Sequence, residues 1–151
     1  MPPLRTTLLS AVAIVLSVLG GCSGYFASEE PDWIVNRLPL ASCGAEAIDP
    51  SGTSVNVGAR GCLLAAFQAG EGAELISTQA TEEGDPVTRY YRVHENGTVE
   101  IFVDATRDRF GSQRWERYRC ERLVSADDLN PDLANEERVF VEQDCEELPI
   151  P

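Results

Sequence analysis

The sequence predicts an α+β fold, in which one helix packs on an antiparallel meander of four to five strands held by two local disulfides. Three observations predict it. One stretch has helical periodicity, the residues after it alternate as strands do, and four cysteines remain once Cys22 is set aside. Past residue 21 the chain has about 130 residues, which is enough for a single domain with its own core.

The helix is predicted to follow residues 49–57, a loop rich in proline, serine and glycine. Apolar residues then recur with the spacing of one helical face: Ala59, Cys62, Leu63, Ala66 and Phe67. Gly70 is placed to end the helix. Because Cys62 falls on this buried stripe, a disulfide from it would fix the helix to a preceding segment.

Strands are predicted at residues 73–78, 86–94, 98–105, 113–124 and 138–143. Between the second and third lies Glu95-Asn96-Gly97, which as a three-residue loop forms a turn with glycine in the left-handed position. This register sets Val93 opposite Val99 and Arg92 opposite Glu100. A two-residue loop would instead mix charged and apolar partners. The three-residue loop makes one face of these strands the core beneath the helix: Tyr91, Val93, Val99, Ile101 and Val103.

Four cysteines allow three disulfide connectivities, and the sequence does not choose among them. We favour Cys43 with Cys62 and Cys120 with Cys145, because each bridge closes a short loop and the entropy of loop closure grows with length. The alternative is a four-cysteine zinc site. It is disfavoured because the four positions are scattered and contain no C-x-x-C pair, so we expect no metal and no cofactor.

The N-terminus has the layout of a bacterial export signal: Arg5, an apolar run over residues 8–19, two glycines and Cys22. Leu19-Gly20-Gly21-Cys22 resembles the lipobox of bacterial lipoproteins, and the chain resembles the small lipoproteins of GC-rich Gram-positive bacteria. That resemblance implies a diacylglyceryl group on Cys22, cleavage before it, and a domain on the extracytoplasmic face of the cell membrane. The alternative is an ordinary secretory signal. The resemblance implies no activity.

The predicted organisation is a signal peptide at 1–21, an acidic flexible tether at 22–32, one domain at 33–147 and a tail at 148–151. The tether is small, acidic and ends near Pro31. Four apolar residues after it are expected to dock on the domain: Trp33, Ile34, Val35 and Leu38.

The net charge of −13 argues against nucleic acid as a partner, because nucleic acids require basic surface. All twelve basic residues are arginine, so chemistry that requires a lysine is excluded. Half of the arginines fall between Arg107 and Arg122. Within that stretch we predict a patch for an anionic polymer or an envelope protein: Arg114, Trp115, Arg117 and Arg119. The alternative is that these arginines pair with acids of the same chain.

No catalytic motif is present in the sequence, and the lone His94 sits beside the predicted turn without an obvious partner. The sequence therefore predicts a non-enzymatic binding or interaction module anchored to the membrane through Cys22. Two alternatives stay open. One is an enzyme whose site assembles from scattered carboxylates and arginines, and the other is a structural accessory of an envelope complex.

Overall fold

The computed structural model describes residues 30–129 and 139–151, which form an α+β fold built on one six-stranded sheet. The strands lie in chain order across the sheet: β1 (Ala41–Ile48), β2 (Ala73–Ala80), β3 (Pro86–Val93), β4 (Val99–Asp104), β5 (Trp115–Ser125) and β6 (Phe140–Leu148). The helices are α1 (Asp32–Val35), α2 (Val57–Ala69) and α3 (Ala126–Leu129). None of the helices in these two ranges is long and apolar enough to span a bilayer.

The prediction of a single helix is wrong, because the short helices α1 and α3 are also present, and strand β1 was not predicted either. Strand β1 runs parallel to β2, with α2 as the crossover, so an antiparallel meander of four to five strands is wrong for the whole sheet. Strands β2 to β6 do form an antiparallel meander. β1 consists mostly of small residues and contains Gly44 at a φ of 103° beside a register shift. Such residues carry little β-propensity, so pairing with β2 defines the strand.

Helix α2 begins and ends where local signals place it. The Asn56 side chain accepts a hydrogen bond from the Ala59 amide at 3.0 Å, and Gly70 ends the helix with a left-handed φ of 67°. The prediction that Cys62 lies on the buried stripe is wrong. Cys62 is exposed and Leu64 is buried instead, and Cys62 forms its disulfide with Cys43 of the edge strand β1.

The hairpin between β3 and β4 has the predicted register. Val93 is opposite Val99, Arg92 is opposite Glu100, and Gly97 has a φ of 78°. The two disulfides are also as predicted, joining Cys43 to Cys62 and Cys120 to Cys145. One fixes α2 to β1 and the other joins β5 to β6.

Each face of the sheet carries its own apolar cluster. We call the face beneath α2 the α2 face; its buried residues include Leu63 of the helix and the predicted core residues of the hairpin: Tyr91, Val93, Val99, Ile101 and Val103. The opposite face, here the α1 face, buries Ile34 against Tyr90 and Phe102. The Trp33 ring lies 5.1 Å from that of Trp115.

The segment before β1 is therefore part of the domain. Docking of Trp33 and Ile34 is confirmed, whereas Val35 and Leu38 are exposed. Tyr90 donates a hydrogen bond to Glu30, inside the predicted tether. At the other end of the chain, β6 extends to Leu148, one residue into the predicted tail.

Candidate functional site

The part of the α2 face that the helix leaves uncovered forms an open cleft of 620 Å³. A hollow of 380 Å³ continues from it, and the two share Gln79, Arg89, Val103 and Glu116. A cleft of this volume is within the range of small-molecule sites, about 300 to 1,000 Å³.

Register places the floor of the cleft on the middle strands. Ser77 pairs with Arg89, Arg89 with Val103, and Val103 with Glu116, so these four form one row across β2 to β5. The neighbouring row, one pleat closer to the helix, contains Tyr91, Ile101 and Tyr118. Because alternate residues of a strand share a face, both rows point to the α2 side.

Arg89 is a half-buried cation in the middle of this floor. Eight other arginines each pair with a carboxylate: Arg37, Arg60, Arg92, Arg109, Arg114, Arg117, Arg119 and Arg122. Arg89 makes no such pair within residues 30–129 and 139–151. A partly desolvated guanidinium without a counter-charge favours an anionic partner.

Tyr91 stands beside Arg89 on the same strand face and is buried. Burial raises the pKa of the Tyr91 phenol and the charge of Glu142 raises it further, while the charges of Arg89 and Arg60 act in the opposite direction. The phenol is therefore protonated at neutral pH. The same interactions show that three charged groups converge near the Tyr91 hydroxyl.

Glu116 closes one side of the cleft and is already engaged. Burial opposes its ionisation, but hydrogen bonds from Ser112 and Tyr118 and the nearby Arg114 outweigh that effect and lower the pKa of Glu116. The Tyr118 hydroxyl donates to the carboxylate at 2.8 Å. Glu116 is thus an anion at neutral pH and is poorly suited to act as a general acid.

Arg60 borders the cleft from α2 and is held by Glu46, whose side chain is 1% exposed. Arg60 Nη2 lies 2.8 Å from the Glu46 Oε1, and the Asn56 amide donates to the same carboxylate at 2.8 Å. The Arg60 guanidinium also lies over the Phe140 ring, 5.4 Å from its centroid. The positive charge of Arg60 is therefore neutralised, which leaves Arg89 as the cation with no partner among the described groups of the cleft.

Apolar side chains complete the cleft: Ile48, Ile101, Val103, Phe140 and Val141. Polar and apolar surfaces thus lie side by side around one cation. No group of three or more potential metal ligands occurs in the described part of the chain. This arrangement suits the binding of a ligand with an anionic end and an apolar body.

The predicted arginine patch lies elsewhere. Arg117 Nη2 is 2.7 Å from the Glu100 carboxylate and Arg119 Nη1 is 3.4 Å from that of Glu146. Trp115 belongs to the apolar cluster of the α1 face. Arg114 pairs with Glu147 at 3.0 Å. Acids of the same chain thus occupy all three arginines, and binding of an outside anion by this patch stays a prediction.

The His94 imidazole lies 3.5 Å from the Glu100 carboxylate, beside the turn between β3 and β4, and does not line the cleft. Cys22, the predicted lipidation site, lies outside the described residues.

Sequence reasoning missed Arg89, although a signal was present. Arg89 precedes Tyr91 and Val93 by two and four positions, so period-two alternation places it on the predicted core face. A charged residue on a core face of a strand is unusual and marks a candidate site.

Comparisons with protein-family models, with curated proteins and with solved structures find no match to this chain.

Proposed function

We propose that this protein is a membrane-anchored, extracytoplasmic binding module that holds a ligand in the cleft of the α2 face. The observation that carries the proposal is Arg89, a half-buried cation on the floor of the cleft that forms no ion pair within residues 30–129 and 139–151, although Glu116 and Glu142 line the same cleft. Partial desolvation of an unpaired guanidinium costs stability, and a bound anion would offset that cost.

The anchor is supported by the Leu19-Gly20-Gly21-Cys22 pattern and by the two disulfides, which persist in extracytoplasmic compartments. The short stretch of chain between Cys22 and the folded domain fits a short tether. Glu30 contacts Tyr90 and Arg37 pairs with Glu74 at 2.7 Å, so the folded part begins within nine residues of Cys22. Nine extended residues span at most about 30 Å, which keeps the domain close to the bilayer.

Binding is favoured over catalysis by the state of Glu116, one of the two carboxylates that line the cleft, the other being Glu142. An enzyme with two convergent acids would hold one of them protonated. Glu116 instead has a lowered pKa and fixed hydrogen-bond donors. The alternative of an enzyme therefore has less support than that of a binder.

The anchor is tested by expressing the full chain in a Gram-positive host and analysing the mature N-terminus by mass spectrometry. We expect a diacylglyceryl-modified Cys22 and retention in the membrane fraction. Cys22→Ala should release the protein or leave it unprocessed, and Ser23→Ala, the matched control, should behave as the parent. Cleavage elsewhere, or an unmodified Cys22, contradicts the anchor.

The cleft is tested by native mass spectrometry of the full-length protein purified from the host membrane in a mild detergent. We expect a small molecule that co-purifies with the parent and with Arg119→Gln but is lost from Arg89→Gln. Absence of any adduct in the parent, or equal occupancy in Arg89→Gln, contradicts a ligand site at Arg89.

A further inference from the structure

We propose that the ligand of this cleft is a small monoanionic carboxylate with an apolar body, its carboxylate on Arg89 and its body along the apolar wall. This inference rests on the proposed binding function and specifies the chemical class of the ligand. Three features of the cleft carry it: its charge balance, its donors and its shape.

The charge balance argues against a ligand with two negative charges. Arg60 is neutralised by Glu46, so Arg89 contributes the one positive charge without a described partner. Glu116 is held as an anion beside the same floor, and the Glu142 charge acts on neighbouring Tyr91. A dianion such as a phosphate monoester would meet these two carboxylates without a second free cation. The balance therefore disfavours a dianion, and a single negative charge placed directly on Arg89 is the most that the cleft accommodates.

The donors favour a planar oxyanion. The guanidinium presents two parallel N–H groups that fit both oxygens of a carboxylate. Tyr91 lies one row from Arg89, but burial, the Glu142 charge and a hydrogen bond to Glu142 all raise the pKa of its phenol, so the guanidinium is the donor that remains for the ligand. Ser77 and Gln79 lie on the strand next to Arg89 and border the same cleft.

The shape favours a small ligand with an apolar part. The cleft measures 620 Å³, which suits a molecule rather than a polymer chain. Ile101, Val103 and Phe140 line it within the same surface as Arg89. An apolar body lying there would gain about 25 cal/mol for each Å² of apolar area removed from water.

Octanoate is a suitable probe, with octanamide as its neutral analogue and octyl phosphate as its more highly charged one. Each is titrated calorimetrically into the full-length protein in nonionic detergent, with a protein-free titration subtracted. We expect octanoate to bind at least about tenfold more tightly than either analogue, as one charge-assisted bidentate pair provides. Arg89→Gln should remove that preference, Arg89→Lys should keep part of it, and Arg119→Gln should leave it unchanged.

The outcomes distinguish failure of the carboxylate assignment from failure of the proposed binding function. Tighter binding of octyl phosphate or octanamide, or octanoate affinity unchanged in a folded Arg89→Gln, overturns the carboxylate assignment. If octanoate fails to bind while an Arg89-dependent adduct still co-purifies from the host, the ligand class is wrong and the binding function stands. Far-UV circular dichroism of Arg89→Gln and Arg89→Lys shows that a lost preference reflects the charge and not unfolding.

Discussion

The contribution of a charged side chain to the stability of this protein depends on how deeply its ion pair is buried. The Glu46 carboxylate is almost fully enclosed and accepts hydrogen bonds from Arg60 and from the Asn56 amide. Glu146 makes a comparable contact with Arg119, yet both side chains are more than half exposed. A buried pair leaves an uncompensated charge when one partner is removed, whereas water readily replaces an exposed partner.

Glu46→Gln should therefore lower the free energy of unfolding at pH 7 by about 3 kcal/mol, and Glu146→Gln by no more than about 0.5 kcal/mol. Burial would raise the pKa of Glu46, but its hydrogen bonds from Arg60, Asn56 and Ser77 outweigh burial and lower it below 4.5. A lowered native pKa stabilises the fold above the unfolded value and loses that contribution as the pH falls through the native one.

Urea denaturation between pH 7 and pH 3 measures both effects. The parent should lose stability as the pH falls below about 4.5, and Glu46→Gln should lose less over the same range. Equal unfolding free energies for Glu46→Gln and Glu146→Gln at pH 7 would show that the enclosed pair does not carry this stability.

At the scale of elements, the sequence predicted those with local signals. Helix α2 has a period, a cap and a terminal glycine, and the β3–β4 hairpin has a turn that sets its register. Strand β1 lacks such signals, because small residues form a strand only when β2 is beside them. The candidate site follows the same division. The alternation of residues along β3 predicts that Arg89 lies on a core face. Whether Arg89 forms an ion pair depends on contacts between strands that are distant in the sequence, and the sequence alone does not give these contacts.

Two glycines should respond to alanine in opposite directions. Gly97 occupies the hairpin turn at a φ of 78°, which a residue with a Cβ adopts only with strain. Gly61 lies within α2, and a Cβ there would meet nothing within 4 Å. Gly97→Ala should destabilise the protein by about 1 kcal/mol, and Gly61→Ala should stabilise it by about 0.5 to 1 kcal/mol.

Thermal unfolding followed by circular dichroism compares the two glycine variants with the parent. A lower midpoint for Gly61→Ala would mean that α2 tolerates no side chain at that position. An unchanged midpoint for Gly97→Ala would mean that the turn adopts another conformation at little cost.

At the scale of the whole molecule, the two faces of the sheet carry different features. The α2 face carries the cleft, and the α1 face holds the segment that leads to the predicted anchor. Three kinds of contact fasten that segment: burial of Ile34, the edge-to-face contact of Trp33 with Trp115, and the bidentate contact of Arg37 with Glu74. Because these contacts lie on the opposite side of the sheet from Arg89, attachment and binding should be separable by mutation.

Ile34→Ala tests that separation. Ile34 is fully buried between aromatic residues, so its truncation should cost about 2 to 4 kcal/mol of unfolding free energy. Tryptophan fluorescence should shift to longer wavelength, because Trp33 and Trp115 belong to the same cluster and would meet more water. Val35→Ala, at a neighbouring residue that is 59% exposed, should change neither property. Octanoate affinity, measured where both variants are folded, should equal that of the parent. A loss of affinity in Ile34→Ala alone would show that the two faces are coupled through the sheet.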